Sequence, residues 1–171
     1  MTNFTEITLA MDLSLSSPGF AVLAVCVDKG ERKPIILEKS HVKTNPKQSH
    51  GARIADIADE IARLLTIYLP QHLVREKGFS RFPAVTQTLF KVVGISDYMA
   101  YIHADATVAE ISPTSVKKTV AGSGKASKQD VQDAVIRILQ IEQTDYFAND
   151  DESDAAAVGI AYLLGKGLIT E

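Results

Sequence analysis

The chain of 171 residues has a single cysteine, Cys26, which excludes a disulfide framework. Cys26 lies in the apolar run AVLAVCV, where a free thiol is expected to act as a small buried hydrophobe, and this cysteine usage fits a reducing, cytoplasmic setting. No apolar run reaches the ~18 residues that span a bilayer. The opening MTNFTEI lacks the basic and apolar regions of a signal peptide, so no membrane partner is expected. There is also no excess of positive charge. Eighteen Lys and Arg against 21 Asp and Glu leave a net charge of −3, which argues against coating nucleic acid through bulk charge and leaves room only for a local basic face. Internal repeats, linkers and low-complexity segments are missing too. What is present is 46% apolar content, enough for one core, and residues 1–171 are expected to form one domain.

Ile7–Asp12, Gly19–Val27 and Pro34–Lys43 are aliphatic runs separated by LSLSSP and DKGERK, which predicts a three-strand antiparallel meander. The period then changes. Ile54, Ile57, Ala58, Ile61, Leu64, Leu65 and Tyr68 recur at helical spacing and predict a helix over Gly51–Leu69 that Pro70 helps to stop. HLVREKG returns to strand character. Pro83 suits the first turn of a further helix that carries small residues at Gly94, Ser96 and Ala100. TVAEIS reads as a fifth strand, Ser112 with Pro113 as the start of a short helix, and Ser127 with Asp130 as a capping box opening another. The last helix, DAAAVGIAYLLGKG, is apolar nearly all round and is expected to be buried against the sheet. A meander followed by helical crossovers gives an α/β fold, a mixed five-stranded sheet with helices on both faces. The strand bearing Glu76 then lies parallel beside the strand bearing Asp12, with both acids near the C-terminal ends.

Asp12 ends an apolar strand, and a carboxylate against apolar walls needs a cation, a metal or a raised pKa. Asp151 and Asp154, three residues apart at a helix start, turn through about 300° and share a face. Asp150 could replace Asp151 as partner of Asp154 at i,i+4 spacing. Taken singly, such acids are ordinary helix-cap partners, and Glu76 between Arg75 and Lys77 is an ordinary strand residue. Together, Asp12, Glu76, Asp151 and Asp154 form an all-oxygen set suited to Mg²⁺ or Mn²⁺. Two such ions roughly 4 Å apart can activate a water on one side of a phosphodiester and stabilise the leaving oxygen on the other. Between Lys117 and Lys128 stand four lysines, Lys117, Lys118, Lys125 and Lys128, and no acid. Arg75, Lys77, Arg81 and Lys91 surround Phe79, and an exposed aromatic beside cations can stack on an unpaired base.

Over nearly its whole length the sequence resembles the RuvC-type Holliday junction resolvases of the RNase H-like nuclease superfamily, in particular a bacteriophage version. AMDLSLSSPGFAVL resembles the first strand and turn with its metal-binding Asp12, VREKGF the segment with the second acid, Glu76, and DESDAAAVGIAYLL the D-x-x-D helix start at Asp151 and Asp154. SPTSVKKTVAGSGKASKQDVQ, the most specific match, resembles the basic segment and the helix after it. The turn DLSLSSPG departs from the family's Asp-Pro-Gly-Ser pattern. The resemblance implies a homodimer that binds four-way DNA junctions and nicks two strands symmetrically with Mg²⁺ or Mn²⁺, two ions per active site. It also implies that Lys117 and Lys128 contact DNA near the cleaved phosphates, that Phe79 stacks on junction bases and that the helix from Pro83 to about Ile102 forms the dimer contact.

GSGKAS is not a P-loop, because Thr119 stands where the first glycine is required and a helix rather than a strand precedes it; no nucleotide cofactor is expected. His41, His50, His72 and His103 lack zinc-ligand spacing. A branched-DNA-binding module with an inactive acid cluster and an RNase H-like nuclease acting on RNA-containing substrates are the competing readings. An actin-like ATPase needs two related domains, and this chain is too short for both.

Overall fold

The computed structural model describes residues 4–28, 30–78, 82–142 and 146–170. Five strands and five helices follow in the order β1 (Phe4–Asp12), β2 (Gly19–Asp28), β3 (Glu31–His41), α1 (His50–Tyr68), β4 (His72–Glu76), α2 (Pro83–Ala104), β5 (Ala109–Ile111), α3 (Pro113–Ala121), α4 (Lys128–Ile138) and α5 (Asp150–Gly165). The sheet order is β3-β2-β1-β4-β5. β1, β2 and β3 pair antiparallel, while β4 lies parallel to β1 and β5 parallel to β4. This is the mixed five-stranded sheet that the sequence pattern implies.

Strand alternation sorts the core into two layers. Leu9, Met11, Phe20, Val22 and Leu73 pack with Ile57, Ile61 and Leu64 of α1 and with Val92 and Met99 of α2. Ala10, Ala21, Leu23 and Val74 face the other way, against α5 with α3 and α4. α5 runs close to the sheet because its contact residues are small. A Cβ at Gly159 would stand 2.4 Å from Leu23 Cδ1 and 3.0 Å from Ala10 Cβ.

Helix starts follow local chemistry. The side chains of Ser49, Ser112 and Ser127 each accept an amide of the first turn, and Asp130 completes the capping box. Several expectations change, among them the start of β1, which lies at Phe4 rather than Ile7. β3 begins at Glu31 rather than Pro34, since Gly30 at φ +87° lets Asp28 pair directly with Glu31. α5 begins at Asp150, four residues before Asp154, because the Asn149 side chain accepts the Glu152 amide and caps the helix there. Cys26 is half-buried rather than buried, as exposure rises along Cys26, Val27 and Asp28 at the end of β2. Among the described residues no helix is long and apolar enough to cross a membrane.

Candidate active site

Met11 of β1 stands opposite Arg75 of β4 in parallel register, so the next residues along, Asp12 and Glu76, are neighbours at the C-terminal ends of central strands. Alternation sets their direction. Leu73 and Arg75 face α2, where Arg75 Nη1 donates to Ser96 Oγ at 3.1 Å, and Val74 and Glu76 therefore face α5. By the same parity Asp12 shares the α5 side with Ala10. On that side α5 presents its first turns. Gly19, paired with Asp12, permits the approach: a Cβ there would lie 2.0 Å from the Asp151 carbonyl oxygen. Ser17 Oγ donates to Asp151 Oδ2 at 2.6 Å, and Lys128 Nζ, at the first position of α4, pairs with Asp154 at 2.9 Å and Asp150 at 3.1 Å.

The acids act on one another electrostatically. Burial, then repulsion from Asp154 and Asp151, pushes the Asp12 carboxyl up to about 6, against a lowering by Lys128. Burial, then Asp12 and Asp154, pushes Glu76 up to about 7, with Lys117 opposing. Burial also raises Asp154, although Lys128 lowers it. Asp150 goes the other way, held below its ordinary value by Lys128. Its carboxylate accepts from Lys128 and Gln132. Asp151 is one of the charges that raise Asp12, and Asp150 and Asp151 both act on Asp154.

A cleft of about 550 Å³ opens beside the acids, with Asp12, Glu76, Leu13, Leu15, Val85 and Leu89 in its walls. The donor set suits a hard divalent cation, being oxygen throughout, and a cation would relieve the repulsion that raises Asp12 and Glu76. Among the described residues no three acidic, histidine or cysteine side chains stand close enough to hold an ion as placed. Asp151 and Asp154 instead pair with Ser17 and Lys128. Drawing the acids onto a common ion therefore requires side-chain movement.

Of the basic residues, half-buried Lys117 and exposed Lys128 act on the acids, while Lys118 and Lys125 are exposed and make no ion pair among the described residues. Phe79 and Arg81 lie outside the described residues. Sequence reasoning passed over Glu152. It is 3% exposed and accepts from Lys39 Nζ at 3.2 Å, from the Ala148 amide at 2.9 Å and, at the same distance, from His41 Nδ1, fastening the start of α5 to β3. Although burial opposes it, these partners hold its carboxyl below the ordinary range. Its side-chain partners are 113 and 111 residues away, and no local pattern announces them.

A family model described as crossover junction endodeoxyribonuclease RuvC matches residues 8–162. The chain is 28% identical over 159 residues to a crossover junction endodeoxyribonuclease RuvC of Prochlorococcus marinus subsp. pastoris, covering 93% of this chain and 97% of that protein. It is 30% identical over 166 residues to the protein of that description from Dechloromonas aromatica, covering 96% and 88%. The structure of Thermus thermophilus RuvC in complex with a Holliday junction substrate superposes with a TM-score of 0.82 at 21% identity, over 95% of this chain and 96% of that one, and has the same fold.

Proposed function

Because the chain belongs to the RuvC family, we propose that it is a metal-dependent endodeoxyribonuclease that binds four-way DNA junctions as a homodimer and nicks opposed strands. The observation that supports this reading is that Asp12 and Glu76, on adjacent parallel strands, lie within electrostatic reach of acids at the start of α5, Asp151 and Asp154 for Asp12 and Asp154 for Glu76. These four side chains would hold two Mg²⁺ or Mn²⁺ ions. When bound, such ions supply an activated water at neutral pH and stabilise charge on phosphate oxygens.

The protein's own groups do the rest. Leu13, Leu15 and Leu89 give the cleft apolar walls that limit water around the acids. Lys117 and Lys128, already in the electrostatic field of Glu76 and Asp154, are placed to meet phosphates brought to those acids. The exposed lysines Lys118 and Lys125 extend the basic face along the DNA. Phe79 and Arg81 are proposed to contact bases and backbone at the branch.

End-labelled four-way, three-way and linear DNA, incubated with the protein with and without Mg²⁺ or Mn²⁺, tests the reading. Paired nicks in the four-way substrate, only with metal, are expected. Asp12→Asn is expected to keep junction binding and lose about a thousandfold or more in rate, several kcal/mol of transition-state stabilisation. A folded Asp12→Asn protein that cuts at the wild-type rate overturns the assignment of the site. Binding of junctions without cleavage under all metal conditions would make the chain a branched-DNA-binding module instead.

A further inference from the structure

The β1–β2 loop, residues 13–18, is where this sequence departs from the family's turn, and the structure gives it fastenings on both faces of the sheet. On the α5 face, Ser17 Oγ donates to Asp151 Oδ2 across 134 residues of sequence. The loop itself is braced. The Ser17 amide donates to Ser14 Oγ at 3.0 Å, the Thr44 amide to the Ser16 carbonyl at 3.0 Å, and Thr44 Oγ1 to the Leu15 carbonyl at 2.6 Å. On the α1 face, Arg53 is only 8% exposed. Its Nε donates to Thr44 Oγ1 at 2.9 Å, and its Nη2 to the Leu15 carbonyl and Ser16 Oγ, each at 3.3 Å. A chain of hydrogen bonds thus leads from α1, through the loop and round the end of the sheet, to an acid on α5.

We propose that Ser17 is a positioning residue for the acid site: its hydroxyl orients the Asp151 carboxylate toward Asp12, and Thr44 and Arg53 hold Ser17 in place to do so. This rests on the reading of the four acids as a metal-holding set. An O–H donor to one oxygen of a carboxylate fixes its rotamer, leaving the other oxygen for a cation. The buried guanidinium gives the loop a rigidity that hydroxyls alone would not, since neutral hydrogen bonds at a partly exposed loop are individually weak. Nothing in the proposal concerns chemistry at Ser17, which does not touch the reacting atoms.

The test is Mn²⁺ binding measured by titration calorimetry on the intact protein without DNA, alongside metal-free melting and the Mn²⁺ dependence of junction nicking. Ser17→Ala is expected to weaken Mn²⁺ binding about 10- to 100-fold, the usual effect of removing a group that orients a ligand. The half-saturating Mn²⁺ for nicking should rise in step, and saturating Mn²⁺ should restore much of the rate. Thr44→Val, which touches none of the acids, should weaken Mn²⁺ binding in the same direction. If wild type binds Mn²⁺ and Ser17→Ala binds it equally well, whether or not its melting temperature falls, Ser17 is only a loop fastener and the proposal is overturned. A wild-type protein that binds no Mn²⁺ overturns the metal-site reading, and the role of Ser17 with it.

Discussion

Asp12 and Glu76 fold into surroundings that disfavour their own charge. In the unfolded chain each is an ordinary carboxyl near 3.8 or 4.5; in the folded protein burial and neighbouring acids bring them to about 6 and about 7. The native state therefore binds protons more tightly at these groups than the unfolded state does. By linkage, stability falls as the pH rises from about 4 to about 7. Carboxyls shifted downward, Glu38, Asp150 and Glu152, act in the opposite sense, and their contribution is lost only as the pH drops through the acid range. In chelator, the melting temperature should fall by about 5 °C or more between pH 5 and pH 8. Asp12→Asn should flatten that decline, and Mg²⁺ at pH 8 should reverse it. A melting temperature independent of pH across this window would show that neither burial nor mutual repulsion raises these acids.

Among the elements, α5 both builds the core and carries half of the acid set. Its run of Ala155, Ala156 and Ala157 with Gly159 lets the helix axis approach β1 and β2 closely enough for its first turn to reach Asp12 and Gly19. Gly159→Val would drive a side chain into Leu23 and Ala10. Overpacking of this kind costs about 1–3 kcal/mol, read as a lower melting temperature. The helix must also lift from the sheet, moving Asp151 and Asp154, so nicking should fall by more than the lost stability explains. The all-round apolar character of this helix was legible in its sequence because burial on every side leaves no polar stripe. Its start was not, since the cap at Asn149 competes with several other polar residues just before Asp154.

At the scale of the molecule, α2 divides its two faces unequally. Val92, Ser96, Met99 and Ala100 are buried within the chain, and Ser96 accepts from Arg75. Two of the three small residues that suggest a dimer contact therefore serve internal packing, and only Gly94 lies on the open side, with nothing near its missing Cβ. That open side instead presents Phe90, Tyr98, Tyr101 and Ile102, all about half exposed or more. This aromatic surface is the proposed contact with a second copy of the chain. Tyr98→Asp places a charge there without disturbing the core and should weaken self-association at least about 10-fold, as loss of an aromatic anchor does. Sedimentation should then show monomer at concentrations where wild type is dimeric, with four-way junctions nicked on one strand at a time. A wild-type monomer at all concentrations would remove the dimer from the proposed function.

The sequence by itself determined the order of elements, the pairing of the Asp12 and Glu76 strands and the presence of an acid-rich helix start. These follow from local rules, namely periods of two and 3.6, cap residues, and prolines at first turns. Only the tertiary structure decided that Asp151 acts on Asp12, that Lys128 joins the acids, and that Ser17, Arg53 and Glu152 brace them. Those decisions come from side chains far apart along the chain, as Ser17 and Asp151 are across 134 residues. Which carboxylate faces which neighbour depends on distances of an ångström or two, set by how closely α5 and the β1–β2 loop pack on the sheet, and hydrophobic periodicity carries no record of them.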